Sequence, residues 1–355
     1  ILTNKEIEAQ SQINTNISNI LGNTIPGLGV SNNKATNTGQ TLRGRSVLVL
    51  IDGIPQSTPL MNGARDIRSI DPAVIERVEV IKGATSIYGN GSAGGIINYI
   101  TKTNKDALKS FSGITNLRST INPFHSSETM GYRIDQTIFG RSNKWNYTAS
   151  GTIDYTGLQR DADGIALGQV DGLSNSYQYN AFLKVGYDIN SNSGLSVLYN
   201  FYNSSQHAKY ISQTGKYGQS PTIGVKGDDP GKPTGTPYNH NAMLNYYHNN
   251  LIGSTSLQAS LYYNTFRSMN RYIEKGTAWY GPGQTQINSE KKGLRLNLNT
   301  AFEVLNSNAE VTYGIDLLND ITDQNLTDGR IYIPDMNMVN IAPYAQLKID
   351  FFENL

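Results

Sequence analysis

Residues 75–102 read IERVEVIKGATSIYGNGSAGGIINYITK. Val78, Val80 and Lys82 alternate with Glu79 and Ile81, glycines interrupt from Gly89 to Gly95, and a β-branched run resumes from Ile96 to Thr101. This pattern predicts a strand, a glycine-rich turn and a second strand that doubles back on the first. The segment GNGSAG, Gly89 to Gly94, also fits the spacing of a dinucleotide-binding loop. That loop must open a helix, because the pyrophosphate rests on a helix N-terminus. Here the strand-like IINYIT follows and no phosphate-loop lysine is present, so the turn reading stands.

Upstream, LTNKEIEAQ and NISNILGNTIPGLGV carry a capping-box pair, Thr3 with Glu6, and helically spaced Ile17, Ile20 and Leu21. Two short helices are expected, ending at Gly22 and Pro26. Ser31 to Thr41 is polar and loop-like, and Val47 to Asp52 reads as a buried strand closed by the hairpin pair Asp52-Gly53. Asp52 is taken as a turn residue, and Asp71 as the cap of a turn that begins at Pro72.

Downstream of Leu108 the pattern changes to long strands of strict alternation. Tyr177, Tyr179, Ala181, Leu183, Val185, Tyr187 and Ile189 share one face, and Gln178, Asn180, Phe182, Lys184, Gly186 and Asp188 the other. The alternation recurs around Tyr147–Tyr155, Leu195–Phe201, Leu257–Tyr263, Leu294–Phe302, Val311–Leu317 and Ile341–Phe351, giving about ten strands. Short turns near 141–144, 190–193, 252–254 and 306–308 alternate with long loops near 119–128, 158–175, 206–240, 268–289 and 321–337. An outer-membrane barrel has this arrangement, with tight turns on one side of the membrane and long loops on the other.

The composition agrees. Tyrosine outnumbers phenylalanine 22 to 9, which suits aromatic girdles at two membrane interfaces. The longest plainly apolar run, Val47 to Ile51, falls far short of the ~20 residues of a membrane helix. A net charge of +1 implies no nucleic-acid partner, and the lack of cysteine excludes disulfides and thiol chemistry. The four histidines, His125, His207, His240 and His248, stand apart from metal-ligand spacing, and Asp228-Asp229 reads as a solvated turn. No basic and apolar leader opens the chain, so numbering is expected to start after a removed signal. The sequence offers no nucleophile–base arrangement, and no enzymatic activity is expected.

LRGRSVLVLIDGIP (Leu42 to Pro55), followed in order and spacing by the 75–102 stretch, resembles the plug domain of TonB-dependent outer-membrane receptors. GATSIYGNGSAGGIIN and NIAPYAQLKIDFFENL look closest to receptors for ferric aerobactin and related hydroxamate siderophores. The resemblance implies an all-β transmembrane barrel of antiparallel strands with an α+β plug in its lumen, residues 1–103 forming the plug and 108–355 part of the barrel. Plugged transporters have about 22 strands, so about half a barrel is expected here. The chain would then stop near a short turn, and the TonB-contacting box would lie outside it. The resemblance further implies TonB and outer-membrane lipid as partners, a monomer in a Gram-negative outer membrane, and a ferric siderophore as transported ligand. No cofactor is expected to be bound by the protein itself.

On the same basis the plug apices, 33–36 and 57–66, are candidates for ligand contact through Lys34, Met61, Asn62 and Arg65. From the long loops Tyr217, Tyr238, Arg271, Trp279, Tyr280 and Tyr332 join them, because aromatic faces and cationic donors hold a bulky chelate. Arg43 and Lys82 lie where the family places basic residues that lock the plug to barrel glutamates, which are expected in the other half of the barrel. Haem, cobalamin or a catecholate chelate are alternative cargoes. A passive barrel or adhesin is the alternative class, and it would have no use for the hundred residues before Leu108.

Overall fold

The computed structural model describes residues 1–58, 60, 65–83, 91–103, 107–170, 172–274, 279–304 and 307–350. At the N-terminus, β1 (Leu2–Thr3) leads into α1 (Asn4–Ser11) and α2 (Ile17–Thr24). Thr3 and Glu6 form the expected capping box, and Asn16 caps α2 through Ser18 N. The helix ends differ from the expectation. The first helix closes at Ser11, and the second runs through Gly22 to Thr24. Gly22 is therefore a packing residue: a Cβ there would come within 3.1 Å of Gly29 O and Ser31 N.

β2 (Leu48–Ile51), β3 (Ile54–Pro55), β4 (Ile75–Lys82) and β5 (Gly95–Thr101) complete a five-stranded sheet in the order β1-β4-β5-β2-β3. β4 and β5 pair antiparallel, Val80 against Ile97, as the opening stretch predicts; the turn residues 84–90 lie outside the described residues. A side chain at Gly95, which has φ 131°, would collide with the Ile81 carbonyl, so glycine is required where the hairpin closes. Asp52 and Gly53 take φ 45° and 87° in a two-residue turn between β2 and β3. Val49, Ile51, Val78, Ile97 and Tyr99 pack beneath Ile7, Ile20 and Leu21 as one core.

Ten strands follow in one antiparallel sheet. They are β6 (Ser112–Thr120), β7 (Gly131–Ser142), β8 (Trp145–Thr156), β9 (Ser176–Asp188), β10 (Ser193–Gln206), β13 (Thr234–Ile252), β14 (Thr255–Met269), β15 (Thr285–Val304), β16 (Ser307–Leu326) and β17 (Ile331–Asp350). β11 (Tyr210–Gln213) and β12 (Ile223–Lys226) pair with each other inside the connection from β10 to β13. Side chains from β7, β9, β10, β13, β14 and β15 all bond to the N-terminal unit, so the sheet curls around it as a wall. The expected long loop at 321–337 is instead a hairpin, β16 and β17 extending to Leu326 and back from Ile331 around Gly329 at φ 92°. Alternation of Ile321, Ile331 and Ile333 with polar neighbours continues the strands through that region.

The wall inverts the burial of a water-soluble sheet. Leu117, Leu183, Val197 and Leu261 stand exposed on its outer face, while Asn200, Asn241 and Asn264 are fully buried on its inner face. The apolar solvent of a bilayer makes that arrangement favourable. Tyrosines edge the outer band near the long loops, with Tyr155 4.6 Å from Tyr177 and 5.3 Å from Tyr132 between ring centroids. At the short-turn end Trp145 packs 4.6 Å from Tyr187, giving the second girdle.

This face generates a prediction. Leu183, 45% exposed at the middle of β9, should cost about 2–4 kcal/mol when replaced by arginine and unfolded from lipid vesicles. A change within about 0.5 kcal/mol, the usual result at a water-exposed site, would mean that this face meets water.

Candidate functional site between the N-terminal unit and the wall

The inward side chains of the wall meet the N-terminal unit through two kinds of contact. The first is charged and buried. Arg133 on β7 grips Asp71 with both terminal nitrogens, at 2.9 and 2.8 Å, and reaches Asp135 at 3.0 Å and Asp154 at 3.1 Å. Asp71 caps the turn at Pro72 through Ala73 N, as its sequence position suggests. Asp154 also accepts from Thr15 of the N-terminal unit at 2.9 Å. On β9, Lys184 pairs with Asp52 at 2.9 Å, and Asp52 accepts in addition from Thr101 N and Oγ1. On β15, Arg295 donates to Gly53 O at 3.1 Å and pairs with Asp316 at 2.6 Å.

The second kind is neutral. Gln56 donates to Asn241 at 2.8 Å and accepts from Asn239 at 3.1 Å, and Asn264 donates to both asparagines. Asn180 pairs with Asn200, whose amide faces Ser69 O. These amides form a seam across β9, β10, β13 and β14. Each can act as donor and acceptor, so the seam is held together without charge.

The apex residues of the N-terminal unit are tied down by arginines. Arg65 donates to Ser268 Oγ at 2.8 Å, to Ala35 O and to Met269 O, and Arg68 donates to Lys34 O at 2.9 Å. Burial, with the like charge of Arg68 beside it, pushes Arg65 down to about 9, so it keeps its charge at neutral pH. Burial raises the Asp66 carboxyl against hydrogen bonds from Ser57, Asn37 and Ile67 N. The Lys34 and Ala35 carbonyls thus face inward onto guanidinium groups. Met61 and Asn62 lie outside the described residues.

Among the loop candidates, Trp279, Tyr280 and Tyr332 come together. Trp279 stacks on Tyr332 at 5.3 Å, and Tyr280 stands edge-on to Tyr332 at 5.2 Å. Arg330 braces the cluster by donating to the carbonyls of Tyr280 and Pro282 while paired to Asp328. Arg271 is exposed on the same connection, and its charge opposes the burial that raises the Asp229 carboxyl. Tyr217 stands apart, fully exposed between β11 and β12. Tyr238 lies on the outer face of β13 with the Arg267 guanidinium 5.4 Å over its ring. Among the described residues no three His, Asp or Glu side chains converge as metal ligands.

Arg43 and Lys82 are both exposed and form no ion pair among the described residues. On this wall the polarity of the contact is the reverse of the expected lock: wall cations hold carboxylates and a carbonyl of the N-terminal unit. Sequence reading missed Arg133, Lys184 and Arg295 in this role. Their signal was present as basic residues at inward positions of strands, on the face opposite the apolar one.

Removing Arg133 would leave Asp71, Asp135 and Asp154 buried without their shared cation. Arg133→Met is therefore expected to destabilise the full-length protein by about 3–5 kcal/mol in detergent micelles. Lys5→Ala, on the exposed side of α1, should stay within about 0.5 kcal/mol. Equal effects from the two in thermal melts would contradict this assignment of the clamp.

Residues 1–96 match the TonB-dependent Receptor Plug Domain family. The chain is 28% identical to the ferric aerobactin receptor of Klebsiella pneumoniae over 89% of its own length and 43% of that protein. It is likewise 28% identical to the rhizobactin receptor of Rhizobium meliloti, again over 89% of this chain and 43% of the relative. A point-mutant structure of the ferric enterobactin receptor from Pseudomonas aeruginosa shares the fold, with a TM-score of 0.71 at 18% identity, covering 99% of this chain and 55% of that one. The chain therefore spans less than half the length of these curated relatives. Residues 1–96 thus carry the plug-domain match, and the chain as a whole is similar to TonB-dependent receptors, its ten-stranded wall sharing their barrel fold.

Proposed function

We propose that this chain is part of an outer-membrane transporter that captures a ferric siderophore, of the hydroxamate type, and imports it when TonB pulls on the plug. The observation that carries this reading is a wall that is apolar outside and polar inside, wrapped on a unit held by buried charge. A passive pore has no need of such a unit. The similarity to ferric aerobactin and rhizobactin receptors over 89% of the chain supports the cargo class.

In this reading residues 1–103 are the plug and 108–355 a part of the barrel. The long loops face the cell exterior and the tight turns the periplasm, with outer-membrane lipid around the apolar band. The iron travels inside the chelate, wrapped by the siderophore's own oxygens, so the receptor recognises the outside of the complex. Trp279, Tyr280 and Tyr332 offer stacked aromatic faces, with Arg271 on the same loop as Trp279 and Tyr280, Tyr217 on a neighbouring loop and Lys34 at the plug apex. Met61, Asn62, Arg65 and Tyr238 complete the proposed ligand set, Arg65 by fixing the apex and Tyr238 by bracing its strand. Arg43 and Lys82 are kept as plug–barrel locks whose partners belong to the rest of the barrel.

The test is a panel of ferric chelates, including aerobactin, desferrioxamine-type and enterobactin-type complexes, titrated against the full-length receptor in detergent and followed by intrinsic fluorescence. Ferric aerobactin should quench saturably and its iron-free form should not. Trp279→Phe should remove part of that quenching and weaken binding by about tenfold, roughly 1.4 kcal/mol. Trp145→Phe, on the outer girdle, should leave affinity unchanged. Tight binding of haem or cobalamin in place of every siderophore would overturn the cargo.

A further inference from the structure

A glutamine buried at the foot of the loops joins three connections of the wall. Gln284 stands immediately before β15 and is 1% exposed. Its side-chain Nε2 donates to Lys232 O at 2.7 Å and to Asn270 O at 2.8 Å, and its Oε1 accepts from Lys232 N at 2.8 Å. Its own carbonyl accepts from Thr327 N at 2.8 Å. Lys232 lies in the β10–β13 connection, Asn270 in the β14–β15 connection and Thr327 in the β16–β17 turn.

The chemistry of the amide explains the choice of residue. Lys232 precedes β13, where the strand ladder has not yet begun, so its N–H and C=O need partners from outside it. A primary amide carries donors and an acceptor in one plane and meets both groups, as the edge of a strand would. A carboxylate could accept from Lys232 N but would face two carbonyls. The approach is close: Gly231 has φ 89°, and a Cβ there would come within 2.7 Å of Gln284 Oε1. On the other side Gly283 pairs with Ile273 through both backbone groups, at 2.9 Å each, which closes the arm carrying Trp279 and Tyr280. From the turn that holds Thr327, Arg330 reaches across to the carbonyls of Tyr280 and Pro282.

We propose that Gln284 is a positioning residue for the Trp279–Tyr280–Tyr332 cluster, setting its two loops and the connection that bears Tyr217 in one arrangement. The inference rests on the reading of that cluster as a contact of the chelate. Trp279 and Tyr332 come from different hairpins, and a stack between them lasts only while the hairpins keep their offset. Exposed loops have few apolar contacts to hold such an offset. Buried hydrogen bonds at the foot of the loops hold it instead, because each one left unmade costs the desolvation of its group. Aromatic faces set in advance also spare the cost of ordering them at binding. By reciprocity, a chelate seated on the rings strengthens the junction at Gln284 and so protects the β10–β13 connection.

The full-length receptor in detergent micelles is compared with Gln284→Ala and Gly231→Ala, which break the same junction from its two sides. Hydrogen exchange followed by mass spectrometry, without ligand, should speed up in residues 227–236 and also in 324–332, while the middle of β13 to β16 keeps its protection. Exchange that rises beside Lys232 alone, with 324–332 unchanged in both variants, would overturn the proposal. Gly231→Ala decides the matter if Gln284→Ala fails to fold. Titration with ferric aerobactin gives the second readout. Gln284→Ala should weaken binding about tenfold, and its combination with Trp279→Phe should lose much less than the product of the two single losses, because both act through one cluster. Losses that simply multiply would mean that Gln284 serves the fold alone, and the positioning role would fall. If ferric aerobactin binds neither wild type nor variants, the cargo is wrong, and the exchange result still decides the role of Gln284.

Discussion

The structure depends on an inverted sheet whose polar face has to be covered. The outer face of the wall carries leucine, valine, isoleucine and tyrosine, and the inner face carries asparagine, serine, threonine and scattered charges. In lipid the outer face needs no protein partner. The inner face does, because amides and charges packed away from water must find hydrogen bonds or cost a few kcal/mol each. The plug supplies those bonds through Gln56, Asp52, Asp71 and Arg65. Phe182, Leu198, Met243 and Tyr262, inward from the wall, join the plug's own core. The hydrophobic contribution is thus shared between the two parts instead of divided between them.

Two physically different contacts make up that shared surface, and they respond differently to water. The amide seam around Gln56, Asn239, Asn241 and Asn264 exchanges one set of neutral hydrogen bonds for another when water enters, at little net cost. The Arg133 cluster holds one cation among three carboxylates at 7% side-chain exposure. Separating it while it stays dry is far more costly. Resistance to movement is therefore concentrated at β7, β9 and β15, and the strands between them carry the compliant part of the interface.

Features set by local pattern were legible in the sequence. Strict alternation revealed the ten strands, because in a bilayer every second residue is forced to be apolar and the period is undisturbed. The same regularity hid the last hairpin: a polar run from Ile321 to Asn337 reads as loop by composition, yet it keeps the two-residue period that makes it strand. Gly22 was read as a helix stop because glycine commonly ends helices, whereas here it admits the backbone of Gly29. The site was less legible. Trp279, Tyr280 and Tyr332 stood out as aromatic residues in loops, but their mutual stacking joins parts of the chain some fifty residues apart. The partners of Asp52 and Asp71 come from strands more than sixty residues away, and no spacing rule links them.

The direction of the clamps, from wall cations to plug acids, is explained by reach and anchoring. An aspartate is short and must be held close to its own backbone, while lysine and arginine span a gap on long flexible stems. Each plug aspartate already belongs to a turn of the plug itself. Asp52 sits in the β2–β3 turn and accepts from Thr101 N and Oγ1, and Asp71 accepts from Ala73 N at the start of the turn at Pro72. When Lys184 or Arg133 lets go, those internal bonds remain and the carboxylate keeps its position on the plug. Parting the two surfaces therefore removes ion pairs without removing the bonds that shape the plug's own turns. With the acids on the wall and the cations on the plug, release would instead free long side chains of the plug that nothing local holds in place.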